Sequence, residues 1–275
     1  MPYPIVNTFL LGTVLNIHPT SIISNEATIA PEATVGPYVV ITGKVSIGPN
    51  TVVESHVRLG SAYGEVLIGA NNHIQSGAML GAPPQEWGYK KSYTQLVIGD
   101  HTRIGEGASL NLGSDKGTGV TSVGDRVFIM AYAHVAHDCQ VGNDVVLTNM
   151  AQLAGHSIIE KNAIVGGCCV VTQFVRVGEY SFLAIGAHAN KDIPPYTIAD
   201  GHWAIPRAFN KIGLKRAGLS ETKRLNLNRA IRIFLKSSLT IAEIIEKIEA
   251  DCEHDEYTTH LVGFLSSSKQ GLARK

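Results

Sequence analysis

No apolar run in this 275-residue chain approaches the roughly 20 residues of a membrane span, so an embedded protein is not expected. The N-terminus, Met-Pro-Tyr-Pro-Ile, lacks the basic stretch that opens a secretory signal. Cysteine is scarce, and Cys139, Cys168, Cys169 and Cys252 form no CxxC pair. Their spacing fits neither a zinc site nor a disulfide framework, which predicts a reduced, cytoplasmic protein. Charged residues are only 17% of the chain and apolar residues 44%, a balance that favours a packed core over disorder. The formal net charge is zero, and no nucleic-acid partner is expected.

That zero conceals a division. Residues 1–202 carry 10 Lys+Arg against 15 Asp+Glu, whereas residues 203–275 carry 13 against 8. Within 207–236 nine basic residues face one acidic residue, Glu221. Such a tail is expected to be a separate element and a landing surface for something acidic.

What the chain has in abundance is a six-residue period. Aliphatic residues recur at Ile17, Ile23, Ile29, Val35, Ile41, Ile47, Val53 and Leu59. The phase returns at Ile68, Ile74, Leu80, Ile98, Ile104 and Leu110, then runs unbroken from Val123 to Ala189. Small or branched residues such as Ala33, Val39, Ala133 and Ala151 often sit four places on. Glycine often follows the aliphatic, as at Gly48 and Gly142, and reads as the residue of a sharp turn. Neither a helical period nor simple strand alternation produces this pattern. Short strands joined by tight corners do, with about three hexads to a coil and coils stacked roughly 4.8 Å apart. The fold predicted over 17–194 is a parallel β-helix.

The phase breaks at about 60–67, 81–97 and 111–122. Insertions in a solenoid leave as loops, and loops on one face commonly build a site. After Pro194-Pro195 the hexads stop, and from Glu221 the apolar spacing becomes helical. Ser220 and Thr240 are placed to cap two helices, and a third is expected at about 256–265. The predicted domains are a β-helix over 1–196 and a basic helical unit over 197–275.

An 18-residue coil stacks His137 under Gly155 and then Gln173, Asp138 under His156, and His134 under Gln152. Histidine is the natural base for a hydroxyl near neutral pH. A neighbouring carboxylate orients its ring, and a glycine N–H without a side chain in the way can steady an oxyanion. Gly155 is expected to leave open space above His137 for a reacting group. A lone histidine on a solenoid face is ordinary polar surface, but this set on adjacent coils reads as catalytic. Zinc held by His134, His137 and His156 is the competing chemistry.

The hexads resemble those of the hexapeptide-repeat family, which forms left-handed parallel β-helices and is usually trimeric. Ala133-His134-Val135-Ala136-His137-Asp138-Cys139, with Leu153-Ala154-Gly155-His156, resembles the signature of UDP-N-acetylglucosamine O-acyltransferases, the first enzymes of lipid A synthesis. Gly81-Ala82-Pro83-Pro84-Gln85, Gln173-Phe174, Pro194-Pro195-Tyr196, Gly213-Leu214-Lys215-Arg216 and Gly271-Leu272-Ala273-Arg274 extend the likeness. The resemblance implies transfer of a 3-hydroxyacyl group from acyl carrier protein to the glucosamine 3-hydroxyl, with no cofactor. His137 would be general base, Asp138 its orienting partner and Gly155 N–H the oxyanion donor. His134, His156, Gln173 and Glu86 would line the substrate site, while Asn210 and Arg216 would hold the nucleotide. Ile185 would limit acyl length, its branched side chain favouring a shorter chain. The basic tail would then meet the acidic carrier protein.

The chain departs from that pattern where a lysine is replaced by Gly88, with Lys90 and Lys91 nearby, and where a His-Arg-Gly-Thr stretch reads Asn111-Leu112-Gly113-Ser114. Thr172, Ile212 and Ala217 also stand where polar or charged residues are usual. Losing such groups costs roughly 1–3 kcal/mol per unmatched partner. The alternatives are therefore N- or O-acylation of a different nucleotide-activated sugar, a zinc lyase or hydratase, and a scaffold that binds carrier protein without turnover.

Overall fold

The computed structural model describes residues 8–10, 13–90, 92–236 and 238–274. The Met-Pro-Tyr-Pro-Ile start and Lys91 lie outside the described residues. From Ile17 the chain winds into a left-handed parallel β-helix whose three faces, among the described residues, are sheets of twelve, nine and eight strands. Many strands are two residues long and end on the hexad aliphatic, as in His134–Val135, Gln140–Val141 and Val146–Leu147. These aliphatics point into the prism, and from Val35 to Ala189 every in-phase position is buried. Val135 pairs with Leu153, which pairs with Val171 and that in turn with Ala189, so each coil of this stretch takes 18 residues.

The three insertions lengthen particular coils. His73 lies against Val52, Arg103 against His73 and Phe128 against Arg103, giving coils of 21, 30 and 25 residues. The surplus leaves at one corner, between the nine- and eight-stranded sheets, and pairing holds through all three apart from a register shift between Leu80 and Ala82 at the second.

That corner geometry corrects the sequence reading of the glycines. The left-handed residue recurs at every sixth position: Tyr132, Asp138, Asp144, Met150, His156, Asn162, Cys168, Phe174 and Tyr180, with φ between 53° and 66°. These are mostly not glycines. The glycines that follow the aliphatics serve close coil stacking instead. A Cβ on Gly142 would stand 2.7 Å from Lys161 N, and one on Gly48 would stand 2.6 Å from the Gly69 carbonyl carbon.

The predicted boundary at 196/197 falls inside the solenoid. Thr197–Asp200 pairs parallel to Phe182–Leu183, and Ile205–Phe209 returns antiparallel beside it. Sheet hydrogen bonding therefore continues to Phe209. The helical unit follows: α1 Lys211–Arg216, α2 Glu221–Lys236, α3 Ile241–Asp251 and α4 Glu256–Ser266. Ser220 Oγ accepts from Lys223 N at 3.3 Å, and Thr240 forms a full capping box with Glu243. Leu227, Ile231 and Phe234 of α2, Ile244 and Ile248 of α3, and Leu261 and Phe264 of α4 form a second core with Tyr196 at its edge. Among the described residues no helix is long and apolar enough to cross a membrane.

Candidate active site

His137 and Asp138 sit on the corner where the chain leaves the nine-stranded sheet at Val135 and enters the eight-stranded sheet at Gln140. His137 is only 7% exposed and Asp138 2%. His137 Nδ1 lies 2.9 Å from Asp138 Oδ2. A carboxylate can only accept, so Nδ1 carries the proton and Nε2 keeps a lone pair. This is the tautomer a general base needs.

Asp138 is itself held by the 111–122 insertion. Ser114 N donates to Oδ2 at 3.0 Å, while Gly119 N and Thr118 Oγ1 donate to Oδ1 at 2.9 and 3.1 Å. Gly117 permits this approach, since a Cβ there would lie 2.5 Å from Oδ1. Burial alone would push the Asp138 carboxyl up. The hydrogen bonds from His137, Ser114, Thr118 and Gly119 outweigh it and hold the carboxyl below its ordinary value.

Gly155 lies one coil above, and its position corrects an expectation. No open approach exists over the glycine, because the His137 imidazole itself fills that space: an added Cβ would stand 2.6 Å from Cε1 and 2.7 Å from Nε2. The Gly155 N–H has no acceptor among the described residues, leaving it available to an oxyanion close to Nε2. His156 meets His137 edge to face at 5.0 Å, and Phe174 stacks on His156 at 4.5 Å. In the sequence Phe174 stands out only as part of the Gln173-Phe174 likeness, with no role of its own. Gln173 is exposed beside it.

His134 pairs with Gln152 across coils, as the 18-residue arithmetic requires, and its Nδ1 meets Ser109 Oγ at 2.8 Å. Burial is the main reason its pKa falls below the ordinary value, so the ring is held neutral. Among the described residues, the group with ligand atoms close enough for a metal is His137, Asp138 and His156, within 4.8 Å of one another, and not the three histidines. The four hydrogen bonds already directed at Asp138 compete with any such use.

Glu86 joins the site through the 81–97 insertion. It accepts from Ser114 Oγ and pairs with Lys116 Nζ at 2.6 Å. Those two hydrogen bonds, the Lys116 one foremost, hold its carboxyl below the ordinary range, and His137 adds to the same pull.

Three other predicted site residues lie elsewhere. Ile185, 81% exposed, occupies the corner between the twelve- and nine-stranded sheets. Asn210 is buried as the N-cap of α1, accepting from Gly213 N at 3.0 Å and donating to Tyr180 O at 2.8 Å. It thus belongs to the third corner, and Arg216 is exposed in the last turn of the same helix. The positions that the family likeness assigned to one site occupy three different corners of one prism.

Comparison with known proteins bears on this arrangement. Residues 121–155 match the bacterial transferase hexapeptide family, six repeats. The hexapeptide fold and the relatives below place the chain among the hexapeptide-repeat acyltransferases. Residues 192–273 match the second domain of UDP-N-acetylglucosamine O-acyltransferase. The acyl-[acyl-carrier-protein]–UDP-N-acetylglucosamine O-acyltransferase of Alkalilimnicola ehrlichii is 40% identical over 197 residues, covering 72% of this chain and 76% of its own. That of Burkholderia orbicola is 40% identical, covering 75% and 80%. The solved UDP-N-acetylglucosamine acyltransferase of Francisella novicida superposes with a TM-score of 0.90 at 35% identity over 94% of each chain. The chain belongs to the UDP-N-acetylglucosamine O-acyltransferase family.

Proposed function

We propose that this protein transfers a 3-hydroxyacyl group from acyl carrier protein to the 3-hydroxyl of UDP-N-acetylglucosamine, the opening step of lipid A synthesis. The observation that carries the reading is the pairing of His137 Nδ1 with a buried Asp138, which frees Nε2 beside the unpaired Gly155 N–H. His137 Nε2 takes the acceptor hydroxyl proton as the oxygen attacks the thioester carbonyl. The new C–O bond forms, and the developing oxyanion is met by Gly155 N–H. The C–S bond then breaks, and the departing thiolate recovers the proton from the imidazolium, which Asp138 has stabilised. Glu86, His134, His156 and Gln173 serve as the acceptor surround.

The scatter of Ile185, Asn210 and Arg216 over different corners supports a homotrimer, in which one prism's catalytic corner meets another's remaining corners. Ile185 would then close the acyl groove and favour a short chain. For the donor, α2 and its approach offer a groove lined by Lys211, Arg224, Leu225 and Asn228, continuing along Arg229 and Arg232. Leu225 is 63% exposed within this basic rim, a surface suited to an acidic carrier protein. The cysteines are free thiols, the state a reducing cytoplasm maintains.

Purified protein incubated with 3-hydroxyacyl carrier protein and UDP-N-acetylglucosamine tests the reading. Product is expected from the unaltered protein and is expected to fall at least about a hundredfold in His137→Ala. No product from the unaltered protein, with the carrier and acceptor both intact, would overturn it.

A further inference from the structure

Gly88 follows Glu86 and Trp87 in the 81–97 insertion. Gly88 adopts φ 81°, a left-handed conformation in which a side chain would be strained. The space it leaves is reached from a different loop. A Cβ on Gly88 would lie 3.8 Å from Lys116 Nζ, and Lys116 belongs to the 111–122 insertion. Its ammonium sits 2.6 Å from Glu86 Oε1 and 3.3 Å from the Trp87 carbonyl oxygen. These contacts use two of its three donors, and the side chain remains 47% exposed. Lys90, the nearby alternative, is exposed on its own loop.

Lys116 is also linked to the base. Glu86 accepts from Ser114 Oγ, and Ser114 N donates to Asp138, which holds His137. One ion pair thus ties the two insertions together at the rim of the catalytic corner.

We propose that Lys116 is the acceptor-positioning cation of this enzyme, supplied from the 111–122 loop at the rim of the catalytic corner. It fixes the Glu86 carboxylate and directs its remaining N–H at an oxygen of the nucleotide-sugar acceptor. This inference rests on the acceptor being a nucleotide sugar, as proposed above.

The test compares Lys116→Met, which keeps the apolar stem, with Lys116→Arg and with Lys90→Met as a control. KM is measured separately for acceptor and acyl donor, and calorimetry gives the Kd for UDP-N-acetylglucosamine without donor. Removing a charge-assisted hydrogen bond predicts about a tenfold or greater rise in acceptor KM and Kd for Lys116→Met. Donor KM and melting temperature stay put, Lys116→Arg recovers most of the loss, and Lys90→Met matches the unaltered protein. If the unaltered protein binds the acceptor and Lys116→Met binds it within twofold as tightly, this inference alone is overturned. If the unaltered protein does not bind UDP-N-acetylglucosamine at all, the inference and the proposed acceptor fall together.

Discussion

Gly155 and the His137 imidazole are in such close register that a single methyl group on the glycine would stand 2.6 Å from the ring. The glycine therefore does two things: it gives the imidazole its seat and keeps its own N–H unpaired beside Nε2. Gly155→Ala forces the ring to tilt or shift, because the competing atoms are a stiff ring and a backbone fixed in the coil stack. A displacement of about 1 Å at a reacting group costs on the order of a hundredfold. We expect kcat to fall by about that factor while the fold survives, and turnover measured alongside a thermal melt checks it. A turnover within threefold of the unaltered protein would show that the ring has room the geometry denies it.

Asp138→Asn keeps the shape of the corner and changes its charge. An amide in place of the carboxylate can present NH2 to Nδ1, which favours the tautomer with its proton on Nε2. The base is then lost without loss of packing, and kcat should drop by roughly 10² to 10⁴. Stability carries a second signature. The folded carboxyl is held below its ordinary value, so its contribution is fully present above the unfolded pKa of about 4. It is lost as pH falls through the folded value. Melting curves of the two proteins should therefore differ at neutral pH and converge in acid.

The solenoid was legible because its rule is local and repeated. Ile129, Val135 and Val141 each announce an inward position, and burial of all three follows from the period alone. The same arithmetic paired His134 with Gln152 and set Gly155 over His137, since coil length is constant beyond Val123. What fixes Asp138 was not legible. Ser114 N and Gly119 N come from an out-of-phase insertion, and no periodicity says where such a segment folds back. The hairpin of Thr197–Asp200 and Ile205–Phe209 escaped for a related reason, being antiparallel and outside the hexad phase. Asn210 illustrates a third limit. A family likeness marked it for a ligand, and nothing in the hexad pattern said that its amide also caps a helix, accepting from Gly213 N and donating to Tyr180 O.

His134 gives a pH dependence of its own. Burial holds its folded pKa below the ordinary value of 6.5, so the unfolded chain binds the proton more readily. Stability is then complete above the unfolded pKa and declines as pH falls below it, levelling off once the folded value is passed. His134→Gln removes the titrating ring while keeping an amide able to meet Ser109. The variant should lose this component of acid sensitivity. Denaturant midpoints taken across pH 5 to 8, a window of about 1.5 units either side of an unperturbed histidine, would show parallel curves if the prediction is wrong.

Where the helical unit docks, one contact is between Tyr196 and His260. Tyr196 is fully buried, and its hydroxyl lies 2.8 Å from His260 Nδ1. His260 Nε2 lies 3.1 Å from Glu160 Oε2. The carboxylate can only accept, so Nε2 carries the proton, and in the neutral ring the tyrosine donates to Nδ1. Burial pushes the Tyr196 hydroxyl far up and is also what raises Glu179, whose charge His260 and Lys161 partly offset. Tyr196→Phe removes one donor and leaves Nδ1 within reach of solvent, at a cost of about 1 kcal/mol. His260→Ala strands the buried hydroxyl and strips Glu160 and Glu179 of a partner, at a cost of about 2–4 kcal/mol. For a chain of this length each kcal/mol lowers the melting temperature by roughly 2–4 °C. The double variant should cost less than the sum of the two, because the bond can be lost only once. Strict additivity in thermal melts would mean that the two side chains stabilise the junction independently rather than through their hydrogen bond.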